Sequence, residues 1–339
     1  MLLVLRSWPI FIYALTISTE SIFIELLTTT YNLSPIIVSA VSITFAGILL
    51  LLIGNLFHRR RKITNIVPRT ILIFTKSAKN LLYASVSLAV GIFTWYDSIS
   101  RVGASKEVLL AGPLEVIFIV ILAYIFLQER LDKVHIIGII VAIVGFFLAV
   151  ISDINNGNTN FFSLLPYHSI ITLGDIEAIV SALGFAVGVL FLTKLVIIHS
   201  PLQVAGASLL VSGIILSFFL VVFVSALDHQ VPYFSRISVP VYPTAIIALL
   251  FFSWLPFIGA LSYSIGLSRI GAALTGTIGS SSILLTLVFQ VILKQFGLDV
   301  NLPQNILIAG LGSVFGFIGI FIVHMRDYNF IKFKRSGRI

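Results

Sequence analysis

Ser152-Asp153-Ile154-Asn155-Asn156-Gly157-Asn158 opens the longest polar connection in the chain, which runs from Ser152 to Thr172. On either side of it the sequence is built from apolar blocks of about 20 residues, enough to cross a ~30 Å bilayer core at 1.5 Å rise per residue. Five blocks precede the connection, at roughly 8–28, 35–57, 80–101, 105–127 and 134–152. Five follow it, at roughly 174–197, 203–226, 242–266, 272–293 and 304–324. Polar or breaking residues bound most of them, among them Asn32–Pro35, His58–Lys62, Gln128–Lys133 and Ser200–Pro201. The basic stretch Ile63–Lys79 is too mixed to span and reads as interfacial, with Lys76 and Lys79 reaching to headgroups.

The composition agrees with a chain dissolved in lipid. Of 339 residues, 58% are hydrophobic and 10% charged, against about 45–50% and about 25% in soluble domains. That argues against a water-soluble enzyme. With no cysteine there is no disulfide framework and no thiolate site, and six scattered histidines give no ligand spacing. No metal or cofactor is expected. The net charge of +8 lies between the apolar blocks and in the tail, which suits anionic lipid headgroups rather than nucleic acid. With the N-terminus cytoplasmic, only Arg101, Lys106, Arg236 and Lys294 of the 21 Lys and Arg fall on the outer side. The positive-inside rule therefore sets both termini in the cytoplasm of a cell-membrane, multi-pass protein.

Five spans per half is an odd number, so the second half must run opposite to the first, the inverted-repeat arrangement of secondary transporters. The expected fold is all-α, ten transmembrane helices in two inverted five-helix repeats. The divisions fall at 1–152 (first repeat), 153–173 (extracytoplasmic linker), 174–325 (second repeat) and 326–339 (basic cytoplasmic tail). Weak internal similarity supports them. Ser100-Arg101-Val102-Gly103-Ala104-Ser105 matches Ser268-Arg269-Ile270-Gly271-Ala272-Ala273, and each joins the third span of its half to the fourth. Gly138 and Gly145 in the fifth span echo Gly312 and Gly319 in the tenth.

Residues Ser98–Ser105, Pro113, Leu127-Gln128-Glu129-Arg130-Leu131, Gly138 and Gly145 form a Gly-Ala, Pro, Leu-x-Glu-Arg, Gly, Gly pattern. In order and spacing it resembles the signature of the drug/metabolite transporter superfamily, in its EamA-type branch. The second half departs from it: Ser281 stands where the matching proline would fall, and Lys294-Gln295-Phe296 replaces the acidic element. The resemblance implies ten helices and alternating-access movement of a small metabolite, and it specifies no ligand.

Ionisable groups at membrane depth are functional candidates, since insertion there costs about 2.5–3.5 kcal/mol. Glu20 lies ~18 Å from the inner end of span one and Glu115 ~15 Å from the outer end of span four. If these spans pack together, both carboxyls face one cavity, where the pair can carry a proton or hold the ammonium group of an amine or amino acid. Helix packing is the plainer role for each. Gly112-Pro113 sits beside Glu115, and its proline disturbs the Leu109 carbonyl, which makes it a candidate kink on the substrate path or a packing kink. Asp97 and Arg101 share a helix face at i,i+4 and should pair. With Glu25, Lys106 and Glu107 they lie nearer the outer ends, where interface solvation is the simpler role and an outer gate the sharper one. Asp175 and Glu177 open span six, where carboxylates suit the helix N-terminus.

Span nine carries Thr275-Gly276-Thr277, Gly279-Ser280-Ser281-Ser282, Thr286 and Gln290, a tight packing face or a hydroxyl-lined wall. Thr277 and Ser281 are the candidate substrate contacts on it. Trp254 is placed mid-span for stacking on a substrate. Trp95, Tyr96 and Tyr263 are candidate rim residues, with interfacial aromatic belts as the cheaper account.

No nucleophile elbow, Walker loop or His-Glu-x-x-His motif is present. The sequence therefore points to no enzyme. It suits a secondary carrier of a small molecule, driven by a proton or other ion gradient or by the substrate's own. A scramblase, a channel or a non-transporting scaffold is the alternative.

Overall fold

The computed structural model describes residues 2–60, 73, 77–127, 133–152, 172–227, 243–298 and 300–336, with side chains for most of them. Among the described residues the chain is helical throughout, without strands. The helices are α1 (Leu2–Thr29), α2 (Pro35–Arg60), α3 (Ala78–Val102), α4 (Ala104–Leu127) and α5 (Lys133–Ile151). After the connection come α6 (Leu173–Ile198), α7 (Pro201–Leu227), α8 (Pro243–Phe252), α9 (Trp254–Gly279), α10 (Ser282–Gln295) and α11 (Ile306–Ser336). Six stretches are long and apolar enough to cross a membrane by themselves, and with the shorter apolar helices they make a multi-pass membrane protein.

Local chemistry sets the ends. Asn32 takes a left-handed φ of 51° after α1, a conformation Asn tolerates, and Pro35 then supplies a helix-ready φ at the start of α2. Gly103 has φ 84° and donates to the Ile99 carbonyl at 2.9 Å, so α3 reverses into α4 across one residue. A side chain there would meet Asn301 Cβ at 2.9 Å. Thr172 and Asp175 form a reciprocal capping box at the start of α6. Pro201 and Pro243 open α7 and α8.

The helices depart from the expected spans in three places. The eighth span is interrupted at Ser253, between α8 and α9. The ninth is interrupted at Ser280–Ser281, between α9 and α10. Within α9 the chain doubles back: Thr275 Cγ2 stands 3.2 Å from a Cβ built on Gly266, whereas nine residues of straight helix would separate them by ~13.5 Å. The limb before this reversal packs on α1 with Gly259 near Glu20 and Gly266 near Ile10, so it runs antiparallel. The limb after it packs on α1 with Gly279 near Tyr13, and Ser282 accepts from Ser18 at 3.2 Å, so it runs parallel. The spans read at 242–266 and 272–293 are these two limbs. Helix α11 continues to Ser336, so residues 326–336 extend the last helix. Residues 153–171 of the expected linker and most of Ile63–Lys79 lie outside the described residues, while Leu173 already belongs to α6.

The largest helix interfaces join α3 to α6, α5 to α11, α2 to α7 and α1 to α9, each pairing a helix from before residue 152 with one from after it. Three of these seams are closed by glycine. A Cβ on Gly184 would stand 2.8 Å from Gly91 Cα. On Gly145 it would meet the Gly312 carbonyl at 2.8 Å, and on Gly319 the Gly138 carbonyl at 2.7 Å. On Gly213 it would meet Thr44 Cα at 2.7 Å. The glycines that mark the two halves as similar thus touch one another. Small residues permit this backbone approach, which supplies packing where water gives no hydrophobic drive.

A residue with a side chain at the α3–α6 seam must force two backbones apart. Gly184→Ala is expected to lower stability in detergent by about 1–3 kcal/mol. Gly310→Ala, which meets open space, should stay within about 1 kcal/mol of the parent, on the stabilising side. Thermal unfolding of the two variants followed by tryptophan fluorescence checks the contrast.

Candidate functional site

A cavity of about 190 Å³ opens inside the bundle, lined from α1, α2, α3, α4, α6, α7, α9, α10 and the break before α10. A single water needs about 10–15 Å³, so the space admits about a dozen waters or a molecule the size of an amino acid. Its walls are mainly apolar, from residues such as Ile43, Leu88, Val116 and Leu209. Three carboxyl groups interrupt them: Glu20 on α1, and Glu107 and Glu115 on α4.

Glu20 is 2% exposed. Its Oε1 accepts from Tyr96 Oη at 2.9 Å, and Ser42 Oγ stands 3.5 Å from that hydroxyl. Its Oε2 lies beside Gly259, where a Cβ would stand 3.9 Å away. The glycine keeps room next to the carboxylate. Glu115 lies two helical turns along α4 from Glu107. Among the described residues it has no hydrogen-bond or ion-pair partner. Its electrostatic neighbours are Tyr13, Tyr263 and Glu107. The Tyr13 and Tyr263 rings pack with centroids 4.8 Å apart and form one wall. Ser264 and Ser282, 3% and 7% exposed, line the same space with hydroxyls that have no partner among the described residues.

The face of the bundle that holds Gly103 is shut by a polar network. Trp95 Nε1 donates to Glu107 Oε2 at 2.8 Å, and Ser181 Oγ donates to Oε1 at 3.4 Å. Ser98 Oγ donates to the Gly174 carbonyl at 2.8 Å. Arg101 pairs with Asp97 at 3.0 Å and with Glu177 at 3.1 Å. Lys106 pairs with Asp175 at 3.1 Å, both nearly inaccessible. Glu25, fully buried, receives the Ala104 amide at 3.0 Å, the Asn301 amide and the Gln290 side-chain amide. Gln290 in turn accepts from the Ser105 amide at 3.0 Å. One carboxylate thereby joins α1, the start of α4, α10 and the segment after it. At the opposite face Ser77 Oγ lies 2.8 Å from His199 Nε2, and burial lowers the His199 pKa from 6.5.

The structure brings Glu20 and Glu115 to a single cavity, together with Trp95 and Tyr263. Tyr96 reaches that cavity through Glu20, and Asp97 with Arg101 closes the face above it. Two expected contacts lie elsewhere. Pro113 is buried against α11, its Cγ 3.1 Å from a Cβ built on Gly316, because the face of α4 opposite Glu115 carries it. Trp254 is 47% exposed and packs edge-on against Phe45 and Phe257, turned outward because the break at Ser253 re-phases the helix. Ser281 forms the interruption before α10 while its neighbours Ser280 and Ser282 line the cavity. The side chain of Thr277 lies outside the described residues. Glu25, Asp97, Lys106 and Glu107 are not solvated at an interface: all four are buried.

Sequence reasoning passed over Tyr13, Ser264 and Glu107 as cavity residues. For Glu107 the signal was its eight-residue spacing from Glu115, which sets both near one helix face. Tyr13 and Ser264 offered none.

A multi-pass helical bundle around a partly polar cavity is the architecture of a membrane transporter. Residues 8–151 match the model of the EamA-like transporter family, and residues 105–278 match that of Solute carrier family 35. The chain belongs to the EamA-like transporters of the drug/metabolite transporter superfamily. No curated protein matches it. A crystal structure of a protein is similar over 95% of this chain and 98% of its own, with a TM-score of 0.62 and 15% identity, which is a likeness of fold.

The Lys106–Asp175 pair tests the closed face. Lys106→Met leaves Asp175 buried without its cation and is expected to cost about 3–5 kcal/mol. Asp175→Asn in the same chain should recover much of that loss. A double-mutant cycle of thermal unfolding in detergent reads the coupling.

Proposed function

We propose that the protein is a secondary-active carrier that moves a small metabolite by alternating access, with the substrate held between two inverted five-helix repeats. The observation that carries this reading is that Glu20 and Glu115, from helices distant in sequence, line one cavity within the bundle. An ionisable group at membrane depth is costly unless it serves a substrate or ion, and Glu115 has no protein partner among the described residues. The helix pairing supports the repeats. Counting α8 and the first limb of α9 as the eighth span, exchange of span n for span n + 5 maps the 1–8 interface onto 3–6, and leaves 2–7 and 5–10 unchanged. A pseudo-two-fold axis in the membrane plane produces that invariance.

In this reading the network of Glu25, Arg101 and Lys106 is the closed gate of one state. Its opening exposes the cavity to the Gly103 side, while closure at the opposite face withdraws it from the cytoplasm. The charge bias sets both termini in the cytoplasm of the cell membrane. A proton or other ion gradient, or that of the substrate, supplies the energy, with Glu20 and Glu115 as the groups that bind the coupled proton or cation.

Purified protein in proteoliposomes should show saturable counterflow of its substrate, accelerated by the same substrate on the far side. Glu115→Gln and Glu20→Gln should each lower the rate at least tenfold at equal reconstitution. Unchanged rates in both variants would remove the assignment. A pore-like, unsaturable flux would remove the carrier. The absence of native cysteine also permits a direct topology measurement. Gly157→Cys should react with a membrane-impermeant maleimide in intact cells, and Ser336→Cys only after permeabilisation. The reverse pattern would invert the orientation.

A further inference from the structure

The cavity carries acid groups and no base. Among its described lining residues are Glu20, Glu107 and Glu115, and none is Lys, Arg or His. The cations near its closed end are already committed, Lys106 to Asp175 and Arg101 to Asp97 and Glu177. Both Glu107 oxygens take donors from the protein, Trp95 and Ser181. Glu115 and the Oε2 of Glu20 take none among the described residues. Beside them lie the paired rings of Tyr13 and Tyr263, and the buried, unpartnered hydroxyls of Ser264 and Ser282.

Resting on the carrier reading above, we infer that the substrate is a protonated organic amine with an apolar or aromatic body and no carboxylate of its own. A carboxylate without a protein donor in a poorly hydrated site is satisfied by a ligand that brings N–H groups and positive charge. An ammonium group brings both. The aromatic faces of Tyr13 and Tyr263 attract the same charge. The apolar wall formed by Ile43, Leu88, Ile92 and Leu209 receives the rest of the molecule. The hydroxyls of Ser264 and Ser282 remain for a polar substituent. An anionic or phosphorylated substrate meets like charge and no cationic partner, and an α-amino acid brings a carboxylate for which the cavity holds no counter-charge. Gly259 is then a size determinant, because its missing side chain leaves open the approach to Glu20.

Three ligands that share a phenyl ring on a two-carbon tether separate the charge types: phenethylamine, phenylalanine and 3-phenylpropionate. Equilibrium binding to the purified full-length protein in detergent should rank phenethylamine at least tenfold tighter than phenylalanine, with no saturable binding of 3-phenylpropionate. Glu115→Gln should weaken phenethylamine at least tenfold, and Glu115→Asp only a few-fold. Equal or tighter binding of either carboxylate, failure of all three to bind at millimolar concentration, or unchanged amine affinity in Glu115→Gln overturns the inference. Should Glu115→Gln not purify as a monodisperse species, Gly259→Leu gives the same reading by filling the space beside Glu20, and unchanged amine binding there is equally fatal. Amine binding without counterflow would defeat the carrier and leave this inference standing. Counterflow of an anion without amine binding would do the reverse.

Discussion

Backbone-to-backbone contact between helices from opposite halves of the chain is the constraint on which this structure rests. In a lipid solvent, burial of apolar side chains against one another yields little that acyl chains do not also offer. Cohesion must come from close packing and internal polar pairing. The glycines at 91 and 184, at 138, 145, 312 and 319, and at 213 let α3–α6, α5–α11 and α2–α7 approach until carbonyls and α-carbons touch. Among the described residues the α5–α11 pair contributes no lining to the cavity. It acts as a buttress, while α1, α4, α9 and α10 bring the unpartnered polar groups to a cavity that α2, α3, α6 and α7 also line.

Polar groups in this bundle divide into those that are satisfied and those that are not. At the Gly103 face nearly every buried charge has an opposite charge or an amide donor, which offsets its desolvation. In the cavity Glu115, one oxygen of Glu20 and two serine hydroxyls lack partners among the described residues. Buried polar groups in proteins are ordinarily hydrogen-bonded. Single hydroxyls elsewhere, on Thr44, Ser85, Ser105 and Thr286, also lack a partner among the described residues, but the carboxylate exceptions, Glu115 and the Oε2 of Glu20, both line the cavity.

Much of the architecture was legible from residues alone. The apolar blocks, the polar connection after Ser152 and the breaking residues at Asn32–Pro35 and Ser200–Pro201 marked the spans. Helix rise singled out Glu20 and Glu115, which line one cavity. What stayed hidden was azimuth. A membrane helix is apolar on its lipid side and apolar on its packed side, so periodicity does not say which way Trp254 or Pro113 points. Trp254 turned out to face outward and Pro113 to face α11. The burial of Glu25 and Lys106 was hidden for a different reason. Their partners, Gln290, Asn301 and Asp175, are remote in sequence and come together only through the pairing of the two halves.

The crossed pairing bears on how such a chain reaches its folded form. Because α2, α3 and α5 each find their glycine-lined partner only after residue 172, the nascent chain holds its first five spans in the bilayer with their narrow faces uncovered until the later spans leave the translocon. The partners are synthesised in the order α6 for α3, α7 for α2 and α11 for α5, and Glu25 waits for Asn301 through almost the whole of synthesis. A chain arrested at its midpoint would therefore be inserted but unassembled, a natural substrate for membrane quality control.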